Sequence, residues 1–337
     1  MKSTEAMLGP SAVFQALAAY QETEALRAAI EIDLFTALGA GAATAKEIAA
    51  RCNASERGVR ILADYLVVNG FLGKDGGRYA LAPVAAMFLD RSSPGCIASA
   101  IHFIASPHVM RGFAQLTTTV RTGRAAIGDE GLAPDHPMWV EFARSMAPLA
   151  RLVAELLASL LDAAAGRPWK VLDIAAGHGL FGITLARYNP KAEIVAVDWK
   201  NVLAVAEENA RAAGIADRFQ TLPGSAFEVD YGSGYDLVLL TNILHHFDPA
   251  GCETLLGKVH RALKPGGRAV AVEMVPDESR VAPAVAAAFA LVMLAGTPAG
   301  DAYTFAEYER MFRNAGFARS ELHELTPSPQ RVVISYR

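Results

Sequence analysis

Val171-Leu172-Asp173-Ile174-Ala175-Ala176-Gly177-His178-Gly179-Leu180-Phe181-Gly182, followed by Ile194-Val195-Ala196-Val197-Asp198, decides how this chain reads. Val171 and Leu172 suit a strand buried in a parallel sheet, and residues 194–197 suit its neighbour. Gly177 and Gly179 permit a tight turn and a close approach of a ligand to the backbone. The pattern predicts a helix from Leu180 to Tyr188, whose first N–H groups point over that turn. Asp198 stands 25 residues after Asp173, at the end of the second strand, where a carboxylate can accept both hydroxyls of a ribose. This is the front half of a nucleotide-cofactor site, and it makes an enzyme the leading reading.

Two cofactors compete for such a site. Gly177-x-Gly179-x-x-Gly182 also fits the dinucleotide fingerprint G-x-G-x-x-G, so a nicotinamide enzyme is one alternative. Asp173 argues against it, because a second negative charge at the strand end repels a pyrophosphate and suits the ammonium of an amino acid. Adenosylmethionine carries an ammonium, a sulfonium, a ribose and an adenine, and no phosphate. The chain also closes with alternating segments, Arg319 to Leu325 and Arg331 to Tyr336, around Thr326-Pro327-Ser328-Pro329-Gln330. A closing antiparallel strand belongs to a methyltransferase sheet, whereas a wholly parallel sheet would favour the nicotinamide enzyme.

On these residues the C-terminal half resembles the class I adenosylmethionine-dependent methyltransferases. Nearly the whole chain is similar to the O-methyltransferase family of plant caffeate-type and bacterial polyketide-tailoring enzymes. The resemblance implies an α/β fold: a Rossmann-like sheet with a closing antiparallel strand, joined to a mostly helical N-terminal winged-helix domain. It implies adenosylmethionine as cofactor, adenosylhomocysteine as product and no metal. Gly177 and Gly179 match the family's turn around the methionine part of the cofactor. Asp198 matches its ribose-binding acid, with Trp199 beside it as a wall for the adenine. Gly224-Ser225-Ala226-Phe227 matches the loop over the adenine, with Ser225 where the family usually has an acid. Ala175 replaces the first glycine of the turn.

Tyr235 to Leu240 reads as another buried strand, and Thr241-Asn242-Ile243-Leu244-His245-His246-Phe247-Asp248 runs off its C-terminal end, where open α/β sheets bind ligands. The family has a His-Asp-Trp triplet here, and its histidine is the general base; His245 aligns with it, and His246 and Phe247 replace the other two. Leu263 to Gly267 reads as a turn before a strand from Arg268 to Glu273. Glu273 aligns with the glutamate that orients the base. The family's second glutamate falls on Ala302, with Asp301 one position away. A neutral imidazole suits removal of a hydroxyl proton near pH 7, and positioning supplies much of the remaining acceleration of a methyl transfer. Methylation of nitrogen or carbon, or non-methylating chemistry, stays open because of Ala302 and His246. The family's Phe-x-x-x-Met helix falls on Phe142 and Met146, which join His246, Met293, Asp301 and Tyr303 as candidates for the acceptor pocket; ordinary core packing is the competing account.

Composition sets the outer limits. At 337 residues the chain can hold two domains with real cores, and 52% hydrophobic residues exclude a disordered chain. A net charge of −4 offers no basic field for nucleic acid. Cys52, Cys96 and Cys252 are three and far apart, giving neither a disulfide framework nor zinc spacing. The N-terminus lacks the apolar core of a signal peptide, and Ala282 to Gly296 is apolar but too short for a membrane span, so a cytoplasmic protein is expected.

The N-terminal third reads as helical, with Val13, Leu17, Tyr20, Ile30, Leu34, Phe35 and Leu38 forming an apolar surface too broad for water. Thr44 and Glu47 form a capping box, Ser55 caps a second helix ending near Asn69-Gly70, and Phe71 to Leu81 looks like a short β wing. A winged-helix regulator that senses a ligand is therefore a further alternative. Its presumed reading helix offers Arg57 and Arg60 against Glu56 and Asp64, a poor match to phosphate. In the resembling family this module mediates homodimer formation. Expected domains are residues 1–95 for dimerisation, 96–165 as connecting helices beside the acceptor pocket, and 166–337 for cofactor binding and catalysis of a small-molecule acceptor.

Overall fold

The chain forms two compact units that divide between Ala105 and Ser106, and the computed structural model describes residues 10–126 and 136–337. The first unit contains α1 (Pro10–Glu31), α2 (Leu34–Gly39), β1 (Ala43–Thr44), α3 (Ala45–Arg51), α4 (Glu56–Val68), β2 (Leu72–Asp75), β3 (Arg78–Leu81), α5 (Pro83–Phe88) and α6 (Ile101–Ile104). The expected capping box starts α3: Thr44 N donates to Glu47 Oε2 at 2.7 Å and Glu47 N to Thr44 Oγ1 at 3.3 Å. Ser55 Oγ accepts Gly58 N at the start of α4, and Gly70 takes a left-handed turn after its end. β2 and β3 make the wing, extended by β1 in the order β1-β3-β2. Ile30, Leu34, Phe35 and Leu38 are buried in this unit's core, whereas Val13, Phe14, Leu17 and Tyr20 on α1 stay 62–69% exposed.

The second unit contains α7 (Pro107–Ala114), α8 (Leu116–Thr122), α9 (Pro137–Leu160), β4 (Lys170–Ile174), α10 (Leu180–Tyr188), β5 (Glu193–Asp198), α11 (Lys200–Ala212), β6 (Phe219–Pro223), β7 (Tyr235–Thr241), α12 (Pro249–Ala262), β8 (Leu263–Glu273), α13 (Ala284–Gly296), α14 (Phe305–Asn314), β9 (Arg319–Glu324) and β10 (Arg331–Tyr336). Seven strands form one sheet in the order β6-β5-β4-β7-β8-β10-β9. The first five are parallel, and β10 runs antiparallel to both β8 and β9. The all-parallel arrangement that would have favoured a nicotinamide enzyme is excluded.

Both faces of the sheet are covered, as the near-continuous apolar strands require. Val171 packs with α9, α10 and α11 on one face, while its neighbour Leu172 packs with α12 and α14 on the other. One expectation needs correction. Leu263 to Gly267 is the start of β8 rather than a turn before it: Leu263 is buried and pairs with Tyr235, and Arg268 pairs with Leu237, so the residues between bulge out of the ladder.

Candidate active site

The C-terminal ends of β4, β5 and β7 bring the singled-out residues to one edge of the sheet. After β4 the backbone turns through left-handed conformations at Ala175 (φ 54°), Gly177 (φ 56°) and Gly179 (φ 72°). A Cβ on Gly179 would lie 2.9 Å from Ala206 Cβ, so both conformation and packing demand glycine there. Ala175 adopts its conformation despite having a side chain, at a cost of about 1 kcal/mol. His178, for which the sequence suggested no task, caps α10: its Nδ1 accepts Leu180 N at 3.1 Å. Burial lowers its pKa to about 4, so the ring is neutral with its proton on Nε2.

Asp198 is bound to this turn. Its Oδ2 accepts Gly177 N at 2.8 Å and its Oδ1 accepts Trp199 N at 2.7 Å. Burial raises its carboxyl to about 6 against the opposing pull of those two N–H groups. Asp173 lies fully buried, with Oδ2 accepting Gly182 N at 3.1 Å and Oδ1 without a partner. Burial pushes it to about 7, and the charge of Asp198 adds to the shift. Two acids held this way, one oxygen unpaired, suit a cationic ligand that also carries hydroxyls.

The shift at Asp173 gives a measurable consequence. The folded protein holds a proton there that the unfolded chain releases near pH 4. Stability of the ligand-free protein is therefore full below pH 4 and falls as pH rises toward 7, by up to ~4 kcal/mol from this residue. Asp173→Asn keeps an oxygen for Gly182 N and removes the titration. Urea unfolding at pH 5 and pH 8 should show a smaller loss in the variant, which at pH 8 is the more stable protein without cofactor. Equal losses in both proteins would refute the assignment.

In the loop from Gly224 to Phe227, Gly224 N donates to Asp198 O at 2.9 Å, tying the loop to β5. Ser225 Oγ accepts Phe227 N, and Phe227 stacks edge-on against Phe247 at 4.9 Å. Ala226 O accepts both the Tyr231 hydroxyl and Lys258 Nζ, and Lys258 also reaches Val229 O and lies over the Tyr231 ring. Lys258 went unnoticed in the sequence because nothing distinguishes one lysine on an amphipathic helix. Trp199 packs in a small cluster with Trp139, Val140, Ala143 and Val202.

At the end of β7, His245 and Glu273 are both buried. His245 Nδ1 lies 2.5 Å from Glu273 Oε2. The other carboxylate oxygen, Oε1, accepts Ile243 N at 3.1 Å and Leu244 N at 2.9 Å. Glu273 is thus fixed to the backbone that carries the histidine. With Nδ1–H donated to the carboxylate, Nε2 presents its lone pair. Phe289 from α13 meets the His245 ring edge-on at 4.8 Å. Ala302 is packed in the core, and Asp301 pairs with Arg280 at 3.2 Å near the surface. Among the described residues, Glu273 is the acid bonded to His245, and Asp301 does not stand in for the missing glutamate.

The remaining pocket candidates divide. His246 lies beside His245 with ring centroids 4.4 Å apart, and Phe142 and Met146 are half-buried one turn apart on α9. Met293 is buried in α13, its carbonyl accepting both Thr297 N and Thr297 Oγ1. Tyr303 is buried against Tyr308, and its hydroxyl donates to Phe247 O at 2.6 Å.

Gly300 is a site residue that helical and strand patterns could not reveal. A Cβ there would lie 2.1 Å from His245 O and 3.0 Å from the carbonyl carbon of His246. No rotamer relieves a clash with backbone, so Gly300→Ala should displace the histidine turn and lower kcat about 100-fold, as expected when a catalytic group moves by an ångström. Steady-state kinetics at saturating cofactor check this, and an alanine variant with normal kcat would contradict it.

A sheet of this order, with acids closing β4 and β5 and a histidine–glutamate pair beyond β7, is that of the class I methyltransferases. Residues 129–318 match the O-methyltransferase domain and residues 14–91 the O-methyltransferase dimerisation domain. The chain is 33% identical over 303 residues, 88% of its length and 86% of the relative's, to the 3-hydroxy-5-methyl-1-naphthoate 3-O-methyltransferase of Streptomyces sahachiroi. It is 28% identical, over 92% of this chain and 91% of the other, to the tetracenomycin polyketide synthesis 8-O-methyl transferase of Streptomyces glaucescens. The crystal structure of a candidate O-methyltransferase from Nostoc punctiforme superimposes with a TM-score of 0.94 at 50% identity, covering 98% of this chain and 99% of that one. The chain belongs to this O-methyltransferase family.

Proposed function

We propose that the protein transfers the methyl group of adenosylmethionine to a hydroxyl of a small oxygenated aromatic or polyketide-like molecule, with His245 as general base. The observation that carries this reading is the His245–Glu273 contact of 2.5 Å, with Glu273 itself held by two backbone N–H groups. The residues present fit the cofactor. The unpaired Asp173 oxygen suits its ammonium, Asp198 its ribose hydroxyls, and the turn at Gly177 and Gly179 its methionine portion. When bound, adenosylmethionine supplies a methyl group already activated by positive sulfur.

The chain's own work is then to place the acceptor and take its proton. His245 Nε2 receives the hydroxyl proton, and Glu273 stabilises the imidazolium that results. Phe289 covers one edge of the ring and limits water there. The relatives act on a hydroxynaphthoate and a tetracenomycin polyketide by name, which supports the same acceptor class here. The exposed apolar face of α1, within the residues matching the dimerisation domain, supports a homodimer. No helix among the described residues is long and apolar enough to cross a membrane.

Isothermal titration against adenosylmethionine, adenosylhomocysteine and NAD tests the cofactor. Mass spectrometry of hydroxynaphthoates incubated with protein and methyl-labelled cofactor tests the transfer. Tight NAD binding without binding of either nucleoside would end this reading.

A further inference from the structure

Two nitrogens beside the base have no partner. His246 Nδ1 and Trp139 Nε1 are each buried and make no hydrogen bond. Their rings meet edge-on, with centroids 5.6 Å apart, and His246 lies 4.4 Å from His245. Edge-to-face contact between rings is favourable but does not pair either nitrogen. Buried polar groups left unpaired destabilise a fold, so two of them on rings that touch each other, next to the base, call for a ligand group that answers both.

The donor inventory narrows that group. The indole N–H of Trp139 only donates, so its partner must accept. Burial and the neighbouring His245 hold His246 well below its ordinary pKa, so its ring is neutral and carries one donor and one acceptor. A hydroxyl answers both by accepting from Trp139 and donating to His246 Nδ1. A carbonyl or carboxylate oxygen answers both when His246 carries its proton on Nδ1. An ammonium cannot accept from the indole and fails.

Resting on the reading of His245 as the base, we infer that Trp139 and His246 recognise a second oxygen on the acceptor, adjacent to the hydroxyl that is methylated. The preferred acceptors are then aromatic hydroxyls flanked by another hydroxyl, carbonyl or carboxylate. Trp139 sets specificity through its N–H rather than through its bulk.

The probes are 2,3-dihydroxynaphthalene and 2-naphthol, which differ by that one oxygen. At saturating adenosylmethionine, the ratio of their kcat/KM values should favour the diol in the wild type. Trp139→Phe removes the N–H and keeps an aromatic ring, and should lower that ratio about 10- to 100-fold; His246→Phe should do the same. Independently, the protein has 3 tryptophans, so the Trp139 indole resonance can be assigned by its loss in Trp139→Phe. With adenosylhomocysteine bound, that resonance should move downfield on adding the diol and stay put with 2-naphthol. An unchanged ratio in both variants, or an indole resonance indifferent to the diol, overturns the inference. Failure of the parent reading would look different: no methyl transfer to any hydroxyl acceptor although the cofactor binds.

Discussion

His245→Ala should lower kcat by about 10²- to 10⁴-fold at saturating cofactor, while the affinity for adenosylmethionine changes little. The reason lies in how the ring is held. Glu273 accepts a hydrogen bond from Nδ1–H and is itself anchored by Ile243 N and Leu244 N, so the imidazole has one tautomer and a fixed orientation. The residues we propose for the cofactor stand on other strands: Asp173 near the end of β4 and Asp198 at the end of β5. Removing the ring deletes the proposed proton acceptor and leaves those acids in place. Calorimetry then reports intact cofactor binding, and single-turnover kinetics report the lost step. A partial rescue by added imidazole would strengthen the assignment, because the small molecule can occupy the space the side chain vacated. Wild-type turnover in the alanine variant, with cofactor still bound, would show that the acceptor needs no base and would favour methylation of carbon or nitrogen.

Residues that announce themselves through local pattern were legible in the sequence. The apolar run before Gly177 predicts β4, the capping box at Thr44 and Glu47 predicts the start of α3, and α10 occupies Leu180–Tyr188 as expected. Each rests on interactions within a few residues of chain, where spacing determines geometry. Contacts made across the fold were not legible. Gly300 meets the carbonyl of His245, 55 residues away, and Lys258 on α12 pins the carbonyl of Ala226, 32 residues before it. Neither leaves a periodic signature. The turn expected at Leu263 to Gly267 failed for a related reason: glycine and proline mark both turns and bulges, and the buried pairing of Leu263 with Tyr235 decided which one formed. The partners of Asp301 and Tyr303, an arginine and a backbone carbonyl, were equally illegible, because both lie far from them in the chain.

Glu273→Gln should cost nearly as much activity as loss of the base, although it changes a single atom. The glutamine oxygen can take over the bonds from Ile243 N and Leu244 N, which puts its NH₂ group where Oε2 lies 2.5 Å from His245 Nδ1. A donor then faces Nδ1, and the imidazole relieves the conflict by moving its proton to Nε2. That nitrogen is the one that must accept the hydroxyl proton, so the ring is chemically intact but wrongly protonated. The flipped amide would satisfy Nδ1 but aim its NH₂ at two buried backbone donors. At about 1–3 kcal/mol for each buried unpaired group, two unpaired donors cost more than one shifted proton, and the first arrangement prevails. The expected loss in kcat is about 10²- to 10⁴-fold, with the unfolding midpoint moved little because the backbone bonds survive. Nitrogen NMR of the imidazole distinguishes the two tautomers directly. A glutamine variant with the wild-type tautomer and wild-type kcat would mean that Glu273 only props up the turn, whereas the shifted tautomer with depressed kcat would place the carboxylate in control of the base.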